Sequence, residues 1–165
     1  MRLLLPLLVA LAATGCATKY QSSGIAGGFT ETRLSENTWR VAFRGNALSK
    51  SDRTDDLAML RAADVALQHG YGFIKVQSAK TTTSTVTSSM PTYTTVQGQA
   101  TTTGNRTNFR ANAYTIGGDD SDEIVTSTLL VSAYKEKPGG DSDIYDARFL
   151  CESIGKKYDA TCQVR

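Results

Sequence analysis

The sequence predicts an α+β domain: a small antiparallel sheet of about four strands, one main helix packed on it, and a short second helix near the C-terminus. Three observations lead there. Trp39, Val41 and Phe43 alternate with Arg40 and Arg44, which is the two-residue period of a half-buried strand. Between Ser49 and Gly70 the period becomes helical, with Met59, Leu60, Ala63, Ala66 and Leu67 on one stripe and Ala62 widening it. Apolar extended runs then return at Tyr71–Gln77 and Ile124–Tyr134. The chain has 165 residues, enough for one domain and too few for an enzyme with separate cofactor and substrate halves.

The first strand is expected over Phe29–Leu34, turning through Ser35-Glu36-Asn37 into Thr38–Arg44. Ser51 or Thr54 can cap the helix, Asp52, Asp55 and Asp56 suit its positive N-terminus, and Gly70 suits its end. In the last strand Val125, Leu129, Val131 and Ala133 share a face. Pro138-Gly139-Gly140 breaks the chain, and Asp143 or Asp146 can open the short helix through Ala147, Leu150, Cys151 and Ile154, ending near Gly155. Between these strands lies an insert, 81–121, of another character. Thr81–Thr115 holds 13 threonines and two charges, Arg106 and Arg110, with sparse apolar residues. Threonine favours extended backbone, so a loosely extended hairpin is preferred over an ordered pair of added strands. Such a polar insert could contact peptidoglycan, glycan or a partner, or be a solvated loop.

At the N-terminus, Met1-Arg2 precedes eleven residues, Leu3 to Ala13, that are apolar or proline, and then Thr14-Gly15-Cys16. This is the layout of a secretory signal peptide and is too short for a permanent membrane span. Its ending, Ala13-Thr14-Gly15-Cys16, resembles the lipobox of bacterial lipoproteins, with alanine at 13 where leucine is commonest. The resemblance implies cleavage after residue 15, lipidation of Cys16 and a membrane anchor of two or three acyl chains, which holds far better than one. With Ala17, not aspartate, after the cysteine, it favours the outer membrane, facing the periplasm, over the inner membrane. Residues 16–28 are small and polar and are expected to tether a domain spanning 29–165; Gly24, Gly27 and Gly28 lack the Lys-Ser/Thr of a phosphate loop.

The folded portion also resembles a family of small, functionally uncharacterised proteobacterial lipoproteins. The residues that carry this are Gly28-Phe29-Thr30-Glu31-Thr32-Arg33-Leu34, Val41-Ala42-Phe43-Arg44-Gly45-Asn46, Leu60-Arg61-Ala62-Ala63 and Gly70-Tyr71, with a fainter match at Tyr145-Asp146-Ala147. Asp64 stands where glutamate is expected, and the threonine-rich insert matches nothing in the pattern. The resemblance implies an envelope lipoprotein with a small α+β body, and no reaction.

Composition and motifs offer little chemistry. A formal net charge of +2, from 18 cations and 16 anions, gives no electrostatic case for nucleic acid. The sole histidine, His69, falls in the last helical turn, where a cation complements the helix end, and no Gly-x-Ser-x-Gly occurs. Glu31, set in a strand beside Arg33, is the best candidate for a glycosidase carboxylate, although a cross-strand ion pair is the simpler expectation. Asp119, Asp120, Asp122 and Glu123 do not have calcium-loop spacing and suit a solvated loop. With Cys16 committed to lipid, Cys151 and Cys162 remain as a disulfide pair; no metal site or cofactor is expected. Asn105-Arg106-Thr107 matches a glycosylation sequon that a bacterial source would leave unused. The expected role is a non-catalytic envelope binding or assembly accessory, with an envelope protein or peptidoglycan as partner. The alternatives are a peptidoglycan or glycan hydrolase, and a structural or stress-response lipoprotein without a ligand.

Overall fold

The structure is a computed structural model that describes residues 17–104, 106–139 and 143–163. The expected signal peptide, residues 1–15, and the expected lipidation site Cys16 lie outside the described residues. The elements, in order, are β1 (Gly28–Ser35), β2 (Thr38–Arg44), α1 (Ser51–Gln68), β3 (Phe73–Thr103), β4 (Arg106–Tyr134), β5 (Ile144–Asp146) and α2 (Ala147–Tyr158). They form one antiparallel sheet of five strands, ordered β1-β2-β4-β3-β5, with two helices. The α+β class is as expected; the strand count is five instead of about four. The extra strand is β5, three residues that pair with Phe73–Lys75. Three residues are too few for alternation to show in a sequence.

The chain divides into two compact units, Thr85–Asp122 and the rest. In the larger unit, β2 is central and alternation does what it predicts: Trp39, Val41 and Phe43 are buried while Arg40 and Arg44 face solvent. β1 pairs with β2 (Phe29 opposite Phe43), and β2 pairs with β4 (Val41 opposite Leu129). The buried face of β2 and β4 meets Leu57, Ala58, Leu60, Ala63 and Ala66 of α1. Alanine at three of these positions lets the helix lie close on the sheet. Burying such side chains supplies roughly 1.5–3 kcal/mol for each large one.

Helix ends differ from expectation at one end of each helix. Lys50 is the N-cap residue of α1 and offers no side-chain cap; Thr54 is wholly buried and turns its hydroxyl back onto the Lys50 and Ser51 carbonyls, both at 2.9 Å. A buried hydroxyl must find an acceptor, and the preceding turn is the nearest one. Asp146 does cap α2, accepting from the Arg148 and Phe149 amides at 2.9 and 3.1 Å. α2 runs past Gly155 to Tyr158, where Asp159 adopts a left-handed conformation (φ 51°). Gly155 sits inside the helix because a Cβ there would lie 2.5 Å from the Ala160 carbonyl of the returning tail.

The expected tether is held against the body at Thr18, Gly27 and Gly28, while residues 21–26 are exposed. Thr18 is buried, its carbonyl receives two hydrogen bonds from the Arg53 guanidinium, and its hydroxyl donates to Ala26 O at 2.8 Å. The Phe29 amide donates to Gln21 O and the Ser23 amide to Phe29 O, so the segment doubles back along the start of β1. Gly27 and Gly28 have φ of +90° and +128°, and a Cβ on Gly27 would collide with the Arg44 carbonyl. The glycines therefore serve a close approach of two backbones, not flexibility.

In the unit Thr85–Asp122 the distal parts of β3 and β4 form regular extended strands joined through Gly104 (φ 63°). Thr94 and Thr115 hydroxyls meet across the pair at 3.1 Å. The structure thus shows the less favoured expectation, an ordered pair of strands, in place of a mobile or loosely extended hairpin.

Candidate functional site

The most elaborate polar arrangement in the larger unit is built on α1. Arg61 and Asp64 lie three residues apart on the helix, one turn along the face that carries Leu57 and Leu60, and therefore point inward. Asp64 is fully buried. Its Oδ2 accepts from the Tyr20 hydroxyl at 2.6 Å and Arg61 Nη1 at 2.8 Å; its Oδ1 accepts from Gln68 Nε2 at 2.9 Å and the Gln163 amide at 2.7 Å. Four donors satisfy the charge that burial would otherwise penalise. Arg61 spends its remaining fork on Glu31, with Nε to Oε2 at 3.2 Å and Nη2 to Oε1 at 2.6 Å, and its guanidinium carbon stands 4.1 Å over the Phe29 ring.

Tyr20 and Arg61 both hold their protons in this cage. Burial, and then the hydrogen bond to Asp64, push the Tyr20 phenol well above its ordinary range, so it stays a neutral donor. Burial is the largest single influence on Arg61 and works to lower its pKa, but the interactions with Glu31 and Tyr20 together outweigh it and hold the guanidinium above its ordinary value. An acid or base for catalysis needs a free lone pair or proton within reach of a substrate. Asp64 has neither free, because both of its oxygens are already bonded within the fold.

The other sequence candidates are placed as follows. Glu31 is bonded to Arg61 on the helix, not to Arg33 beside it; Arg33 instead lies 5.4 Å over Trp39 and donates to the Ser35 and Glu36 carbonyls. His69 is the C-cap of α1, with Nδ1 2.9 Å from Val65 O and its ring 5.1 Å from Trp39. Among the described residues no group of acidic, histidine or cysteine side chains is arranged to hold a metal ion. No helix among them is long and apolar enough to cross a membrane.

Cys151 and Cys162 form a disulfide, with Cα atoms 5.9 Å apart. It ties α2 to the tail that delivers the Gln163 amide to Asp64, so the disulfide and the cage share one segment. A cleft of about 670 Å³ runs beside it, lined by Leu67, Gly155, Ala160 and both cysteines, with Arg148 among its polar residues. Asp56 joins the two helices again, accepting from Lys157 Nζ and the Tyr158 hydroxyl, both at 2.7 Å.

The unit Thr85–Asp122 has the opposite character. Val86, Met90, Tyr93, Val96, Tyr114 and Ile116 are all exposed, Ile116 by 74%. Monomeric surfaces scatter single apolar side chains; here six fall along one hairpin. Sequence reasoning named the insert without finding these residues, because an extended segment with two open faces has no alternation to betray it. Compared with known proteins, the chain matches no family model, no curated protein and no solved structure.

Proposed function

We propose that the protein is a lipid-anchored envelope lipoprotein, held at the outer membrane through Cys16 and facing the periplasm, that acts as a non-catalytic binding or assembly accessory. Its partner is an envelope protein or peptidoglycan, and it works without a cofactor. The observation that carries this reading is the row of exposed apolar side chains on the hairpin, from Val86 to Ile116, in a chain whose body consumes its described buried charges internally. The hydrolase alternative needs Glu31 as a free carboxylate, and Glu31 is bonded twice to Arg61. An anchor raises the local concentration of the hairpin near membrane partners, so weak contacts suffice.

Two experiments test the two halves. Cys16→Ser should release the protein to the soluble periplasm; continued sedimentation with membranes contradicts the anchor. A photo-crosslinking amino acid in place of Tyr93 should give covalent adducts in living cells, whereas the same group in place of Tyr145 on the body should not. Adducts from position 145 alone would place the contact surface elsewhere.

A further inference from the structure

The outer edges of the hairpin carry no strand. Among the described residues β2 pairs with β4 only over Thr126–Ser132, and β5 pairs with β3 only over Phe73–Lys75. Within Thr85–Asp122 each strand therefore bonds on one side alone. A two-stranded ribbon is marginal in water, and a long open edge is a template for another strand. Natural edges are usually blunted by charge, particularly lysine. Here Thr85–Asp122 has no lysine; its charges are Arg106 and Arg110 and, clustered at the far end of β4, Asp119, Asp120 and Asp122.

The order of side chains along β4 says which strand fits. Alternate residues share a face, so Arg110, Asn112, Tyr114 and Ile116 lie together, and Asp120 follows beyond Gly117-Gly118. The outline is cation, apolar, apolar, anion, which is self-complementary. Rotating a second copy by a two-fold axis at Thr115 lays its β4 antiparallel to the first. Arg110 then stands opposite Asp120, Tyr114 opposite Ile116, and Asn112 opposite Gly118. An opposite-charge pair and an aromatic–branched pair are each favoured directly across an antiparallel ladder, and Gly118 has no side chain to crowd Asn112. Gly117 and Gly118 take φ of +99° and +133° within the continuous strand. A one-residue slip at these glycines still leaves Arg110 against the acidic stretch Asp119, Asp120 and Asp122. Each contact occurs twice, as in any isologous interface.

We propose that the partner of the hairpin is a second copy of this chain, paired edge to edge along β4 about Thr115. The inference rests on the reading of the hairpin as a contact surface and names what it contacts. Arg110, Tyr114, Ile116 and Asp120 are all exposed, so pairing needs no prior opening of the body.

The test uses the full chain in its membrane, with the photo-crosslinking group in place of Tyr93. The expected product is an adduct of twice the chain's mass. Arg110→Asp and Asp120→Arg should each reduce it about tenfold, since each sets like charges against one another at two places. The double variant R110D/D120R should restore it, which a general loss of folding would not do. Sedimentation of the detergent-solubilised chain should show the same order of dimer fractions. Adducts only of other masses would overturn self-pairing and leave the contact-surface reading standing; no adduct of any mass would sink both. A dimer indifferent to the charge reversals would overturn the β4 register and with it the proposal.

Discussion

The larger unit and the hairpin unit handle polar and apolar groups in opposite ways. In the larger unit even a full charge is taken inside, and Asp64 is matched by four donors drawn from the N-terminal segment, the helix and the C-terminal tail. In the hairpin even Tyr114 and Ile116 are left outside, and among the described residues the backbone on each outer edge has no strand to bond. A closed network of this kind has no capacity left for a ligand, whereas an open edge has nothing else to do with its capacity. The first region satisfies its buried polar groups internally, and the second leaves its apolar side chains in solvent.

The comparison is broken most severely by removing the cage's centre. Asp64→Ala leaves Arg61 paired with Glu31 alone and strands three further donors, and should cost about 3–5 kcal/mol in chemical denaturation. A loss below about 1 kcal/mol would mean that the network is not holding the body together. Reducing the Cys151–Cys162 disulfide should come next, at about 2–3 kcal/mol for a short loop. It should also raise amide exchange at Gln163, whose N–H the tail presents to Asp64.

How far these features were legible depends on whether the sequence carries a period. β2 alternates and α1 repeats, so both could be drawn before any coordinates. Arg61 and Asp64 were hidden in plain view: Leu57, Arg61, Asp64 and Gln68 follow helical spacing, but a charged pair on an apolar stripe is ordinarily assigned to the solvent side. The donors Tyr20 and Gln163 come from distant segments with no pattern of their own. Gly27 and Gly28 looked like a linker because composition does not distinguish freedom from a close backbone approach. The hairpin's strands left no alternation because neither face is covered, so only the threonine content hinted at extension.

Smaller effects sharpen the contrast. The Tyr20 phenol is favoured neutral in the folded state, its pKa lifted above the ordinary 10.0. The stability it contributes is therefore complete below about pH 10 and is lost as pH rises through its folded value. Stability measured from about pH 8 to 11 should fall at the alkaline end, and Tyr20→Phe should flatten that fall while costing about 1–3 kcal/mol at neutral pH. Smallest of all, Ile116→Thr in the hairpin should move the body's stability by no more than about 0.5 kcal/mol. A larger shift would mean that the exposed residues of the hairpin also support the fold.

The central claim is that the body folds on its own account and the hairpin exists to make contacts. Replacing Thr85–Asp122 with an Asn-Gly turn between Ser84 and Glu123, which suits a two-residue hairpin, tests it most directly, by thermal unfolding of the body with its disulfide intact. A single cooperative transition within a few degrees of the parent is the predicted result. Loss of that transition would show that the hairpin belongs to the folding unit and would contradict the account.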